Sequence, residues 1–255
     1  MGISVIINTY NAEKYLNECL KSVKDFDEIV ICDMHSTDNT ISIAEKYGCK
    51  IVYYEKVGFA EPARNFAIQS GSQDWVLIVD SDEIIPKELK DYLYGKIKEE
   101  NCPAGIRIPR KNRFWGKFLE VQYPDYILRF GKKTAFDWPP KVHAHPEING
   151  EVYTIPKERK ELAFLHYTSD SIRDFVNVIN KYTDLEVEKM AEENVKLNVP
   201  LALWKSIWLI FEKFLLKKGY KDGTHGLIMC SFWGGYKFLA QIKYWEYLKN
   251  KKEQN

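Results

Sequence analysis

The chain opens on an almost unbroken apolar run, Ile3-Ser4-Val5-Ile6-Ile7-Asn8. A strand covered on both faces reads this way, because neither side alternates with water. Tyr15, Leu16, Cys19, Leu20 and Val23 then recur at helical spacing. A second apolar run, Glu28–Cys32, ends at Asp33. Asp38-Asn39-Thr40 can cap a helix carrying Ile41, Ala44 and Tyr47, and Gly48 is placed to end it. Ile51–Tyr54 predicts a third strand and Ala63–Ser70 a short helix. Trp75–Val79 predicts a fourth strand running into Asp80-Ser81-Asp82-Glu83. Pro86 suits a helix start before Leu89–Ile97.

This strand–helix alternation predicts a parallel sheet with right-handed crossovers and helices on both faces. Ligands of such sheets bind beyond the carboxyl ends of the strands. Polar residues stand at those ends: Thr9-Tyr10-Asn11, Asp33, Asp80 and Asp82. No GxGxxG follows the first strand and no GxxxxGK[ST] occurs, which argues against a dinucleotide fold and a P-loop ATPase. Past residue 102 the pattern is less regular, with strands expected at Ala104–Pro109, Tyr126–Phe130 and Leu162–Tyr167. Helical periodicity returns in Ser169–Met190, Leu201–Leu216 and Leu227–Leu248. The expected organisation is an α/β domain over 1–168, with halves 1–100 and 101–168, and a helical region over 169–255.

Composition narrows the class. Lys+Arg 37 against Asp+Glu 36 gives +1 over 255 residues, so no overall field favours nucleic acid. Five cysteines lie far apart without a CxxC, so neither a disulfide framework nor a zinc cluster is expected, and a reducing cytosol suits the chain. The N-terminus lacks the basic segment of a signal peptide. No apolar run reaches the roughly 18 residues of a membrane span. Charge is uneven, however. Residues 200–255 hold ten lysines against Glu212, Asp222, Glu246 and Glu253, with four of the seven tryptophans.

Asp80 and Asp82 are the sharpest chemical signal. Residues i and i+2 of an extended chain point to the same side. Two carboxylates there suit a hard cation such as Mg²⁺ or Mn²⁺, whose shell is completed by phosphate and water. An EF-hand is excluded because Ile85 stands where its loop needs glycine. The plainer alternative is an acidic turn before Pro86.

The chain resembles the inverting family 2 glycosyltransferases of the GT-A fold, particularly the branch that builds lipopolysaccharide cores and surface glycans. The resemblance rests on Ile3–Asn11, on Glu28–Asp33 with Ser36–Thr40, on Ala63-Arg64-Asn65 and on Asp74–Glu83. Tyr123-Pro124-Asp125, Arg129-Phe130, Val142-His143 and Leu165-His166-Tyr167 match more weakly. It implies a Rossmann-like nucleotide-binding fold with a mostly parallel sheet and a C-terminal helical segment. Residues 1–100 would bind the nucleotide sugar and 101–168 the acceptor. By resemblance, Thr9, Tyr10, Asn11, Asp33, Arg64 and Asp80 contact the nucleotide, with Asp33 accepting from uracil N3–H. Asp82, Asp80 and His166 would hold Mn²⁺ or Mg²⁺. Trp115 and His143 would lie in the acceptor region. The donor is then a UDP-sugar and the acceptor a glycan or glycolipid in polysaccharide or cell-envelope synthesis.

The sequence departs from that pattern at one position that bears on the chemistry. The acid that commonly follows the His of the Val-His pair is replaced by Ala144. Glu147, Asp125, His143 and Asp137 are the substitutes for the general base within the same region, with Glu147 and Asp125 equal first. Met34 stands where many members carry a second acid after Asp33. Two other functions remain open: a nucleotidyltransferase, which usually needs a basic glycine-rich loop absent from Asn8–Glu13, and a GT-A domain that binds glycans without turnover.

The tail admits two readings. Leu201, Trp204, Ile207, Trp208, Phe211, Phe214 and Leu215 line one helix face, with Lys205, Lys213, Lys217 and Lys218 off it or at its end. Leu227–Leu239 adds Phe232, Trp233, Tyr236 and Phe238, followed by Lys243 and Lys249. Such faces either pack on the catalytic domain or a second copy of it, leaving a homo-oligomer open, or dock a cytoplasmic protein on the inner leaflet through residues 200–250.

Overall fold

The computed structural model describes residues 1–56, 61–140, 145–169 and 171–253. In chain order the elements are β1 (Ile3–Thr9), α1 (Glu13–Val23), β2 (Glu28–Asp33), α2 (Thr40–Lys46), β3 (Lys50–Tyr53), α3 (Glu61–Gln69), β4 (Trp75–Asp80), β5 (Glu83–Ile84) and α4 (Lys87–Lys96). There follow β6 (Gly105–Phe114), β7 (Lys117–Phe118), β8 (Asp125–Lys132), β9 (Phe136–Asp137), β10 (Glu147–Ile148), β11 (Val152–Thr154) and β12 (Phe164–Ser169). The chain ends in α5 (Ile172–Glu192), α6 (Val199–Phe211) and α7 (Thr224–Glu253). Two compact units result. The first is Met1–Lys111 with Tyr123–Tyr167; the second is Asn112–Gln122 with Thr168–Asn255. The sequence reading grouped Asn112–Gln122 with the α/β domain.

In the first unit the strands run in the order β3-β2-β1-β4-β8-β6-β12-β5. β3, β2, β1 and β4 are parallel, whereas β8 joins β4 antiparallel and β6 joins β8 antiparallel. All seven residues of β1 are buried. Their alternation splits the core into two layers. Val5, Ile7, Ile31, Leu77 and Val79 pack with Leu16 and Leu20 of α1 and Leu89 and Leu93 of α4. Ile6, Val30, Cys32, Val76 and Ile78 pack with Ala63, Ala67 and Ile68 of α3 on the other face. Helices therefore cover both faces, as the uninterrupted apolar strands require. Parallel register brings the polar strand ends together: Thr9 pairs with Asp33, and Asn8 with Asp80.

In the second unit, Ser171 caps α5 by accepting from Asp174 N–H, and Asn198 caps α6 by accepting from Leu201 N–H. Met190, Ala240 and Tyr244 form one buried cluster. Phe114, Leu119 and Met229 form another, with Phe175, Phe232 and Trp233 against it. α6 passes into one π-helical turn, Glu212–Leu216. It meets α7 through small groups: Ser206 is 4% exposed, and a Cβ at Gly234 would fall 2.7 Å from the Ser206 carbonyl and 2.5 Å from Ile210 Cγ1. Among the described residues no helix is long and apolar enough to cross a membrane.

Asp222 explains why Asn112–Gln122 belongs to this unit. Its buried carboxylate accepts from Glu120 N–H at 3.0 Å and from Val121 N–H at 2.9 Å. Asp222→Ala strands two backbone donors and is expected to cost about 3 kcal/mol. Urea unfolding followed by tryptophan fluorescence measures it; a loss under about 1 kcal/mol means that the segment is held by other contacts.

Candidate active site

The site gathers at the carboxyl ends of β1, β2 and β4, where the parallel register puts them. Asp33 is fully buried. Its Oδ1 accepts from Thr9 Oγ1 at 2.8 Å and from Ser36 Oγ at 2.6 Å, and its Oδ2 accepts from Ser36 N–H at 2.7 Å. Ser36 Oγ in turn accepts from Asn11 N–H, and Asn11 Oδ1 accepts from Thr37 N–H, both at 2.8 Å. The loops after β1 and β2 are thereby laced together around one carboxylate. Asn11 reaches this position with φ +48°, a backbone conformation that asparagine tolerates better than most side chains. Tyr10 is exposed, and Lys56 Nζ donates to its hydroxyl at 2.6 Å.

Asp80 anchors a larger cluster. Arg64 Nη2 donates to its Oδ1 at 2.5 Å and Arg129 Nη2 to its Oδ2 at 2.7 Å. Both guanidiniums lie over the Trp138 ring, at 5.0 and 5.2 Å from its centre. Burial alone would raise the Asp80 carboxyl, but Arg129 and Arg64 outweigh it and hold it well below the usual carboxylate range. Asp80 N–H donates to Glu83 Oε2 at 2.9 Å. Glu83 is fully buried; burial first, and then the Asp80 charge, push its carboxyl upward. Arg110 links it onward, donating to Glu83 Oε1 at 3.0 Å and twice to Asp125 Oδ2 at 2.7 and 2.9 Å. Three guanidiniums thus face three carboxylates. Among the described residues, two donors inside the cluster have no protein hydrogen-bond partner, Asn8 Nδ2 and Arg64 Nε, and such buried donors call for a water, an ion or a ligand.

Asp82 stands beside this chain of ion pairs. Its Oδ2 is 3.5 Å from His166 Nε2, and its carbonyl accepts from Tyr167 N–H at 3.0 Å. The antiparallel β5–β12 pairing, with Glu83 opposite His166, sets that approach. Burial would lower the imidazole's affinity for a proton, but the Asp82 carboxylate outweighs it and raises it. Among the described residues no three His, Cys, Asp or Glu side chains form a ready-made metal cage.

The candidate residues therefore fall into groups. Thr9, Asn11 and Asp33 share one hydrogen-bond network; Asp80, Arg64 and Asp125 share another; Asp82 and His166 are paired. Glu147 sits exposed in β10 opposite Asp137 of β9, outside the bonds that tie Asp125 to Glu83. Trp115 is an exposed turn residue of the second unit, with φ +43° and its ring 5.8 Å from His225. His143, with Ala144, lies outside the described residues. Sequence reasoning passed over Glu83, Arg110 and Arg129 as site residues. Arg129 left no local signal, since on a strand its side chain points to the face opposite Leu128 and Phe130.

Comparison with known proteins agrees with this geometry. Residues 4–147 match Glycosyl transferase family 2. The chain is 27% identical to a glycosyltransferase of Rickettsia conorii, over 94% of its own length and 89% of that protein. It is 24% identical to the lipopolysaccharide core biosynthesis glycosyltransferase LpsC of Rhizobium meliloti, over 96% and 93%. The fold superposes on S. aureus TarS (residues 1–349) in complex with UDP with a TM-score of 0.51 at 20% identity, covering 100% of this chain and 92% of that one.

The Glu83–Arg110–Asp125 relay makes a stability prediction. Arg110→Met leaves Glu83 buried and unpaired, at an expected cost of about 3 kcal/mol. Adding Glu83→Gln, which still accepts from Asp80 N–H, should recover more than half of it. Urea denaturation of the single and double variants tests the coupling; losses that simply add would dissolve the relay.

Proposed function

We propose a donor and a reaction from one premise: the chain belongs to glycosyl transferase family 2, and its fold is GT-A. The donor is a UDP-sugar, and the acceptor is a hydroxyl of a glycan or glycolipid. The observation that carries this reading is the convergence of Asp33, Asp80 and Asp82 with Arg64 and His166 at one edge of the sheet. That S. aureus TarS was solved with UDP supports uridine in particular.

In this reading the uracil lies against Thr9 and Tyr10, and Asp33 accepts from its N3–H. The carboxylate is fully buried and already accepts from Thr9 and Ser36, so the base reaches it only when the loop carrying Ser36 gives way, while Thr9 keeps the carboxylate oriented. Arg64 stays on Asp80 and faces the diphosphate from there, and a ligand oxygen would supply an acceptor for its Nε. The three arginines are matched by Asp80, Glu83 and Asp125, so the cluster offers the diphosphate little net positive charge. A divalent cation fits this deficit. Asp82 and His166 would hold Mg²⁺ or Mn²⁺, with Asp80 adjacent and the remaining ligands supplied by phosphate and water. Bound there, the ion would stabilise the charge that collects on the departing diphosphate.

Asp125 is the favoured base. Its carboxylate takes the proton of the acceptor hydroxyl as that oxygen bonds to the anomeric carbon. The bond from that carbon to the diphosphate oxygen breaks on the opposite side, which inverts the anomeric configuration. Arg110 supports the assignment by fixing Asp125 to the Asp80 cluster; among the described residues Glu147 makes no such tie. The name of LpsC, a lipopolysaccharide core biosynthesis glycosyltransferase, favours a cell-envelope acceptor.

Four variants test the scheme. Asp82→Asn should abolish Mn²⁺-dependent hydrolysis of UDP-sugars, and EDTA should do the same to the wild type; activity that survives both would remove the metal from the scheme. Asp33→Ala should weaken UDP binding by calorimetry about tenfold or more while Mn²⁺ binding persists. Asp125→Asn should lower transfer by roughly 10²–10⁴ with donor binding kept, and Glu147→Gln should leave it near wild type. The opposite ranking would move the base to Glu147.

A further inference from the structure

The structure sorts the tail in a way that periodicity does not. Phe232 and Trp233 of α7 pack against the buried Phe114 cluster. Lys243 is held within the unit by Asp184 at 2.6 Å and by Asn180. Lys213 lies over the Trp233 ring. These residues are not a surface for anything else. α6 is different. It turns Ser206 inward, against the Gly234 gap of α7, and its large side chains outward. Trp204 is 63% exposed, Ile207 52%, Trp208 49% and Phe211 44%. Leu201, Leu203, Leu215 and Leu216 are exposed with them. A helix that buries serine and exposes tryptophan inverts the usual pattern of a soluble surface helix, and an apolar patch of this extent marks an interaction surface.

The charges beside it indicate the occupant. From Val199 to Lys221 the chain carries five lysines and one carboxylate, Glu212. Lys205, Lys217, Lys218 and Lys221 are exposed, and none of the four is in an ion pair among the described residues. A groove of about 450 Å³ runs along the same helix, lined by Leu201, Trp204, Trp208 and Glu212 together with Lys196, Lys205 and Lys237, the last 4.0 Å from Glu186. Apolar floor and ammonium groups together match an acyl chain and its phosphate headgroup. Thirteen residues of helix span about 20 Å, short of the roughly 30 Å hydrocarbon core, so α6 suits lying in the interface rather than crossing it. A second copy fits less well. An antiparallel pair of α6 faces would set Lys205 of one against Lys217 and Lys218 of the other, a like-charge contact.

We infer that α6 and the turn after it, Leu201–Lys221, are the element that seats the protein on an anionic lipid leaflet. Trp204, Ile207, Trp208 and Phe211 enter the headgroup layer, and Lys205, Lys217, Lys218 and Lys221 meet lipid phosphates. The inference deepens the proposed glycolipid-directed function and rests on it for its purpose, though not for its test, since donor hydrolysis in solution needs no membrane.

Flotation of the full chain with phosphatidylcholine vesicles, with and without phosphatidylglycerol, tests it. The wild type should float only with phosphatidylglycerol, and less so at high salt. The triple variant Trp204→Ser, Ile207→Ser, Trp208→Ser should stay at the bottom. Lys217→Gln, Lys218→Gln and Lys221→Gln together should weaken partition at least about tenfold. Because these side chains are exposed, both variants should keep the wild-type circular dichroism and UDP-sugar hydrolysis. A wild type that never floats at low salt, or an unchanged triple variant, overturns the inference. So does a dimer that these substitutions dissociate in the absence of any flotation, which would assign the face to a second copy. Absent UDP-sugar hydrolysis with flotation intact would instead strike the proposed function and leave the docking helix standing.

Discussion

Asp80 is a half-buried carboxylate at the end of the central strand β4, and it neutralises two guanidiniums that are themselves buried, Arg64 and Arg129. A guanidinium taken out of water without an anion would cost several kcal/mol. Arg64 comes from α3 and Arg129 from β8, so the neutralisation depends on elements far apart in sequence. The antiparallel β4–β8 pairing brings Arg129 in; the packing of Ala63, Ala67 and Ile68 beneath the sheet brings Arg64 in. Glu83 then caps the end of β4 by accepting from Asp80 N–H, and Arg110 carries the charge balance to Asp125. The site is thus the place where the sheet's two parts, parallel and antiparallel, are locked to each other. Loosening it for chemistry would loosen the fold, so the groups are held in place before any ligand arrives.

That dependence explains what could be read from the sequence. The parallel half is local information: each apolar run and each helical face lies within some twenty residues, and a parallel register places strand ends side by side. Thr9, Asp33, Asp80 and Asp82 follow from that alone. Glu83 looked like one more acid in a polar turn, because nothing local says that the β5–β12 pairing will cover it. Arg110 and Arg129 lie on strands whose partners are set by tertiary pairing. Their role became legible only with the sheet order. The Asn112–Gln122 segment escaped for the same reason, since the anchor that captures it, Asp222, is about a hundred residues away.

The helical tail makes the complementary point. Periodicity identified the apolar faces of α6 and α7 equally well, but not which would be covered. Gly234 and Ser206 decide it: close approach at these small groups fixes the rotation of α6 and leaves its aromatic side outward. Phe232 and Trp233, similar in composition, are used in packing. A net positive tail is therefore not uniformly a surface; four exposed lysines that make no ion pair among the described residues lie on α6 and the turn that follows.

The central claim is that the carboxyl edge of β1, β2 and β4 receives a uridine diphosphate sugar, with Asp82 and His166 on a metal. A crystal structure of the protein with UDP and Mn²⁺ tests it most directly. The uracil should lie at Thr9, Tyr10 and Asp33, the diphosphate within reach of Arg64, and anomalous density for manganese between Asp82, His166 and the phosphate oxygens. Nucleotide bound elsewhere, or manganese held without Asp82, would contradict it.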